Sequence, residues 1–218
     1  MKSTLRLLAP LLLACSLILA ALAHPAQAGP NPVVVMETSM GRIMVMLYPK
    51  DAPKTVANFL KYVDAGFYNE TIFHRVIRQR KSGGEDDKAM NIVQGGGFTF
   101  PIRHKAPLLP PIPNEASTGL TNVRGTIAMA RATAPDSATS EFFFNVQDNP
   151  AFDFRQSASK TGANSYSQSV SAGYCAFGKV IRGMDVVEKI NAVKTARSGR
   201  MEDVPVSPVF IKKAYVAR

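Results

Sequence analysis

The chain has 218 residues, 46% of them hydrophobic, with 26 lysines and arginines against 16 acidic residues and a formal charge of +10. The basic residues are scattered and no stripe of them interleaves with aromatics, which argues against a nucleic-acid surface; the charge aids solubility or weak attraction to anionic surfaces. Three histidines and two cysteines, with no Cys or carboxylate at metal-ligand spacing around them, argue against a zinc site.

The first 28 residues read as a secretory leader. Lys2 and Arg6 give a basic start, Leu7 to Ala23 is an apolar run, and Ala26-Gln27-Ala28 is a small-x-small cleavage site. Polar, Pro-rich sequence follows at once, so a spanning helix is disfavoured. Leu12-Leu13-Ala14-Cys15 resembles a lipoprotein signal that would lipidate Cys15, but the apolar run continues beyond it. The expectation is therefore a periplasmic, monomeric protein with no stable membrane span. Without Lys2 and Arg6 the charge falls from +10 to +8. Residues 31–218 suffice for one well-buried domain. Cys175 alone remains after cleavage, so no internal disulfide forms; its apolar surroundings mark it as a buried small hydrophobe.

In chain order, 33–37 and 42–48 are β-rich runs separated by Thr38-Ser39-Met40-Gly41, a hairpin pattern. Ile43, Val45 and Leu47 share one face and Met44 and Met46 the other, which predicts cover on both sides. Asp51-Ala52-Pro53 opens a helix, with Asp51 or a neighbour as cap and Pro53 in the first turn. Val56, Phe59, Leu60 and Val63 form its buried stripe, and Gly66 ends it. Strands follow at 71–77, 92–96, 126–130, 142–146, 174–180 and 209–216. A second helix spans 184–193 with the stripe Met184, Val187, Ile190. Along 142–146 the side chains alternate, which puts Phe142 and Phe144 in the core and Phe143 on the opposite face. About eight strands and two helices predict a mainly β fold, a closed eight-stranded antiparallel barrel with a helix over each open end. The stretches near 78–91 and 155–173 read as long surface loops.

No GxSxG and no phosphate-cradling loop occur, so hydrolysis, phosphoryl transfer and redox catalysis have no support, and no cofactor is expected. Two fragments stand out: Phe73-His74-Arg75-Val76-Ile77, with an arginine among apolar residues, and Gln94-Gly95-Gly96-Gly97, an amide beside a nearly bare backbone. A fixed cation next to an amide and an open, Gly-lined surface suits a neutral peptide group. Rotation about X–Pro needs neither nucleophile nor cofactor. Its barrier of about 18–20 kcal/mol comes from amide resonance, and a donor placed at the pyramidal nitrogen lowers it.

These fragments, with Gly125-Thr126-Ile127-Ala128-Met129-Ala130, Ser140-Glu141-Phe142-Phe143-Phe144 and Ala176-Phe177-Gly178-Lys179-Val180, stand in the order found in cyclophilins. The chain resembles a cyclophilin-type peptidyl-prolyl cis–trans isomerase of the exported bacterial kind. The resemblance implies the barrel capped by two helices, with the groove on its outer face. It implies Arg75 as the catalytic arginine, Gln94 as the glutamine that positions the substrate backbone and Phe143 as the floor of the proline pocket. Ile92, Phe152 and Tyr174 replace a pocket methionine, a pocket leucine and a rim histidine. Met129, Ala130, Arg131 and Ala132 fall on the segment touching the residue before proline, and His74 matches a histidine beside the arginine. The implied partners are proline-containing segments of unfolded or exported proteins.

Three departures stand against the family pattern. The turn between the arginine and the glutamine is enlarged by about a dozen residues, and Asn91 stands where a pocket phenylalanine is usual, with Met90 able to replace that wall. Glu141 stands where glutamine is common and is expected to bind substrate; a carboxylate there could pair with Arg75 and hold it in place, or draw the guanidinium's field from the substrate amide. Ala151 replaces a large aromatic at the rim that touches the family's cyclic-peptide inhibitor. These departures motivate an alternative reading, a proline-segment binding module or chaperone with weak catalysis.

Overall fold

The computed structural model describes residues 31–79, 90–118, 120–162 and 165–217. The expected leader and Cys15 lie outside the described residues, as does most of the expected 78–91 insertion. Strands β1 (Val33–Thr38) and β2 (Gly41–Leu47) form the predicted hairpin, followed by helix α1 (Pro53–Asp64), β3 (Thr71–Arg78) and β4 (Asn91–Thr99). Then come β5 (Arg103–His104), β6 (Thr126–Met129), β7 (Phe142–Asn145), β8 (Arg155–Gly162), β9 (Ser165–Ser171) and β10 (Ala176–Arg182). Helix α2 (Met184–Asn191), β11 (Thr195–Ser198), β12 (Met201–Pro205) and β13 (Phe210–Val216) complete the chain.

Eight strands close on themselves in the order β3-β13-β1-β2-β10-β6-β7-β4, with β4 returning to β3. Every pairing around the ring is antiparallel. The expected closed barrel is what the chain forms. Its interior holds Val34, Met36, Ile43, Val45, Leu47, Phe73, Val76, Val93, Ile127, Phe142, Phe144 and Phe177. Phe142 stacks edge-on against Phe59 of α1 and against Phe144, with centroids 5.7 and 5.6 Å apart. Such pairs contribute about 0.5–1.5 kcal/mol each beyond the area they bury.

Helix α1 buries Val56, Phe59 and Val63 as its periodicity predicts, together with Tyr62. Its cap differs from expectation. Ala52 stands at the N-cap and makes no side-chain cap bond. The carboxylate of Glu115 instead accepts from the backbone N–H of Lys54 (3.1 Å) and of Thr55 (2.8 Å), and from the Thr55 hydroxyl (2.8 Å). An anion at the positive end of a helix dipole is favourable. In α2, Asn191 donates its side-chain N–H to the carbonyl of Ile77 (2.9 Å), tying that helix to the floor of β3.

Other expectations are corrected. The stretch 156–173 is not an irregular loop: β8 and β9 pair as a separate antiparallel hairpin. Met44 and Met46 are only half-buried, so the outer face of β2 is partly open. The last expected strand before α2 begins at Ala176, which leaves Tyr174 outside it.

Candidate active site

The site is a row of residues facing outward across five strands. Cross-strand partners run Arg75↔Gln94 (β3/β4), Gln94↔Phe143 (β4/β7), Phe143↔Ala128 (β7/β6) and Ala128↔Ala176 (β6/β10). Direct partners place their Cβ atoms about 4.5–5.5 Å apart, so one cation, one amide and one ring stand side by side. Ala128 and Ala176 flank Phe143 with methyls only, which leaves the ring uncovered by its neighbours on that side. Phe143 is nevertheless 2% exposed, because it belongs to a second apolar cluster outside the barrel. Ile77, Ile92, Ala128 and Ala176 share that cluster, with Met90, Leu120, Ala130, Phe152 and Tyr174 packed against it.

Above this cluster lies a groove of about 280 Å3 lined by Arg75, Met90, Ile92, Gln94, Ala130, Arg131, Phe143, Phe152 and Tyr174. Three of the linings are rings in mutual contact: Phe143–Phe152, Phe143–Tyr174 and Phe152–Tyr174 centroids are 5.5, 5.6 and 5.0 Å apart. Such a hollow takes a small apolar ring. Met90 supplies the wall that Asn91 does not; the Asn91 amide instead donates to Gln147 Oε1 at 2.6 Å.

A buried polar clamp beneath the groove fixes two of the rings. Asn122 donates its side-chain N–H to the carbonyls of Phe152 and Tyr174, both at 3.1 Å, and its backbone N–H to Asp153 Oδ1 at 2.7 Å. The Tyr174 N–H donates to the Phe152 carbonyl at 2.8 Å. The roots of the β8–β9 hairpin are thereby pinned together, so the hairpin joins two walls of the groove. Arg131 reinforces this edge. Its guanidinium donates to the carbonyls of Gly173, Ala132 and Thr133 and lies 4.6 Å from the Tyr174 ring centre. Asn122 was not anticipated; a lone Asn in loop sequence carries no pattern that marks it.

Arg75 is exposed, and its side chain makes no hydrogen bond or ion pair with another described residue. Of the two alternatives for Glu141, a pair with Arg75 is not formed. Glu141 Oε2 instead accepts from Gln94 Nε2 at 2.8 Å and lies 3.3 Å from His74 Nε2. The cause is a bulge in β3. Phe73 pairs with Gly95 and Arg75 with Gln94, so His74 is one residue more than β4 can match. The bulge puts both His74 and Arg75 on the side of Gln94 and Glu141. His74 is 2% exposed, with its ring 4.4 Å from that of Phe98. It supports Glu141 from below and does not line the groove.

Burial opposes ionisation of Glu141. Hydrogen bonds from His74 and Gln94, with the charge of His74 and of His104, outweigh it and hold the carboxyl below its ordinary range. The glycine run is not the open surface expected. Gly95, Gly96 and Gly97 are all buried. A Cβ on Gly97 would stand 2.3 Å from Glu141 Oε1, and Gly96 has φ of +86° with Ser140 O in the way of any side chain. The bare backbone serves to seat Glu141 across β4. Met129 also departs from expectation: Ala128 pairs with Phe143 on the outside, so Met129 turns inward and is packed in the barrel core. The other named residues, Arg75, Ile92, Gln94, Ala130, Arg131, Phe143, Phe152 and Tyr174, are brought to one groove.

Comparison with known proteins assigns the chain to a family. Residues 33–216 match the family model described as cyclophilin type peptidyl-prolyl cis-trans isomerase/CLD. The chain belongs to the cyclophilin-type peptidyl-prolyl cis–trans isomerase family. It is 45% identical over 196 residues to a peptidyl-prolyl cis-trans isomerase of Acinetobacter baylyi, covering 90% of this chain and 91% of that one. It is 43% identical over 185 residues to peptidyl-prolyl cis-trans isomerase B of Escherichia coli, covering 85% and 99%. In fold it resembles a cyclophilin-type isomerase of Cryptosporidium parvum, with a TM-score of 0.59 at 22% identity, covering 85% of this chain and 99% of that one.

Proposed function

We propose that this groove catalyses cis–trans isomerisation of X–Pro peptide bonds, with Arg75 as the catalytic residue. The observation that carries the reading is the outward row Arg75, Gln94, Phe143. The proline ring enters the hollow formed by Phe143, Phe152 and Tyr174, with Ile92 and Met90 closing its other side. Gln94 holds the substrate backbone. Because an ionised carboxylate only accepts, Glu141 draws the –NH2 end of Gln94 toward itself. That fixes the amide flip and leaves Gln94 Oε1 free for a substrate N–H.

As the X–Pro bond twists, its nitrogen loses resonance, becomes pyramidal and gains a lone pair. The Arg75 guanidinium, bound to no carboxylate among the described residues, donates to that lone pair. The interaction exists in the twisted state and not in the planar one, so it lowers the barrier without strengthening ground-state binding. No bond is made or broken and no proton is transferred.

Loss of a single preorganised donor of this kind costs about 10²–10³-fold in rate. Arg75→Ala should therefore lower kcat/KM on a proline peptide by about two to three orders of magnitude with KM little changed, read by NMR exchange. Activity within threefold of wild type would remove Arg75 from the mechanism.

We further infer, from the leader-like pattern of the first 28 residues, that the protein works outside the cytoplasm on proline-containing segments of unfolded exported chains. Amino-terminal sequencing of protein from the periplasmic fraction should begin near Gly29. Recovery of intact Met1 from the cytoplasm alone would overturn that assignment.

A further inference from the structure

Three buried amides join the two walls of the proline groove from beneath. On one wall Asn91 lies between Met90 and Ile92, and its carbonyl accepts from Asn149 Nδ2 at 3.3 Å. Asn149 Nδ2 also donates to Asn145 Oδ1 at 2.7 Å, and Asn145 Nδ2 to Asn122 Oδ1 at 3.2 Å. Asn122 then reaches the carbonyls of Phe152 and Tyr174 on the other wall. We propose that this relay sets the width of the groove, and that Asn149, which does not line it, is a positioning residue that fits it to a five-membered ring. The proposal rests on the isomerase reading and extends it to ring selection.

The relay has one direction. Backbone carbonyls only accept, so Asn122 turns its –NH2 end to Phe152 and Tyr174 and its oxygen to Asn145. Asn145 must then offer –NH2 to Asn122, and Asn149 must offer –NH2 to Asn145. The Asn91 carbonyl asks the same of Asn149 from the far end. Both ends thus dictate one orientation for all three amides. Side bonds hold it: Asn145 Nδ2 donates to Thr126 Oγ1 at 2.8 Å, and that hydroxyl donates to the Val123 carbonyl. Asn149 Oδ1 accepts from Gln147 Nε2 at 3.3 Å, while Gln147 Oε1 accepts from Asn91 Nδ2.

Asn122, Asn145 and Asn149 are 1%, 0% and 4% exposed, so bulk water does not replace a lost partner. A broken link leaves a buried polar atom unpaired. Asn149 is the link whose loss disturbs least else. Its backbone N–H still donates to the Asn122 carbonyl, and its carbonyl still accepts from the Phe152 N–H. β4 stays paired with β7. What loosens is the turn Pro150–Phe152, whose tie to β4 and β7 runs through the Asn149 side chain. Phe152 can then draw back from Ile92, and the groove widens.

The test compares two peptides that differ only in the ring, proline or its six-membered homologue pipecolic acid, by NMR exchange. One methylene too many in an apolar pocket costs about 10–200-fold, so wild type should act at least about tenfold less well on the larger ring. In Asn149→Ala that disadvantage should shrink by about fivefold or more. The proline peptide should lose through KM rather than kcat, because Arg75 is untouched. The ratio between peptides cancels both their intrinsic barriers and the folded fraction of each variant. Val34→Ala is the control for lost stability. It removes core methyls on β1, four places from β7 in the ring of eight strands, and should leave the ratio unchanged. If Asn149→Ala does not fold, Thr126→Val takes one acceptor from Asn145 at nearly constant shape and should move the ratio in the same sense. A wild type that does not distinguish the rings, an unchanged ratio, or an equal change in Val34→Ala overturns the relay and leaves the isomerase standing. Absence of exchange enhancement by wild type on the proline peptide removes both.

Discussion

The role proposed for Arg75 depends on a neighbour that does not neutralise it. A carboxylate one strand away is the usual fate of an exposed arginine, and here the candidate, Glu141, is drawn off by Gln94 and His74. The guanidinium's field is left to the substrate. Geometry also matters, because a guanidinium is planar with a fixed fork of donors while an ammonium is a point charge on a flexible stem. Arg75→Lys should therefore stay close to Arg75→Ala in kcat/KM, by the same NMR exchange assay. A lysine enzyme near wild type would mean that charge alone suffices.

At the scale of elements, the outstanding contact is the remote cap on α1. Glu115 reaches a helix some 60 residues earlier and satisfies two backbone N–H groups and the Thr55 hydroxyl. That hydroxyl lies 3.5 Å from Cys175 Sγ, just before β10. The cap thus joins α1 to the wall of the barrel. Glu115→Ala leaves two backbone N–H groups of α1 without their acceptor and the Thr55 hydroxyl with Cys175 alone, and should cost about 1–2 kcal/mol of stability, read by urea unfolding. A change below about 0.3 kcal/mol would mean that water caps the helix as well.

Much of this was legible in the sequence where residues obey a period. Phe142, Phe143 and Phe144 alternate, and their faces follow. Arg75 and Gln94 were recognisable as a pair although an insertion separates them. What escaped depends on irregularity. One extra residue in β3 turns His74 toward Glu141, and no alternation rule announces a bulge. Met129 was placed by its segment, whereas its parity against Ala128 decides that it faces the core. The β8–β9 hairpin is rich in Ser and shows no apolar alternation, so nothing distinguished it from a loop. Glu115 and Asn122 act across long sequence separations, where local pattern carries no information.

For the whole molecule, stability should fall on the alkaline side. Burial pushes the Cys175 thiol from 9.0 up to about 11; the Thr55 hydrogen bond opposes this and the charge of Glu115 adds to it. The folded state then keeps a proton that the unfolded chain releases. That stabilisation is fully present below pH 9 and is lost as pH rises toward 11. At pH 10.5 the loss is about 2 kcal/mol. Tyr68, also raised by burial, acts in the same sense at higher pH. Cys175→Ala should lose correspondingly less stability than wild type between pH 8 and 10.5 in urea melts. Parallel losses in the two proteins would show that the thiol does not report on folding.

The order of strands around the ring has a temporal meaning. β13, the last strand of the barrel, sits between β1 and β3, two of the first three made. Until residues 210–216 pair, β1 and β3 each present an open edge, and the arginine-bearing strand is supported on one side only. A ribosome releases those residues after every other strand of the ring. The barrel that carries the groove therefore closes only once all eight of its strands have been made.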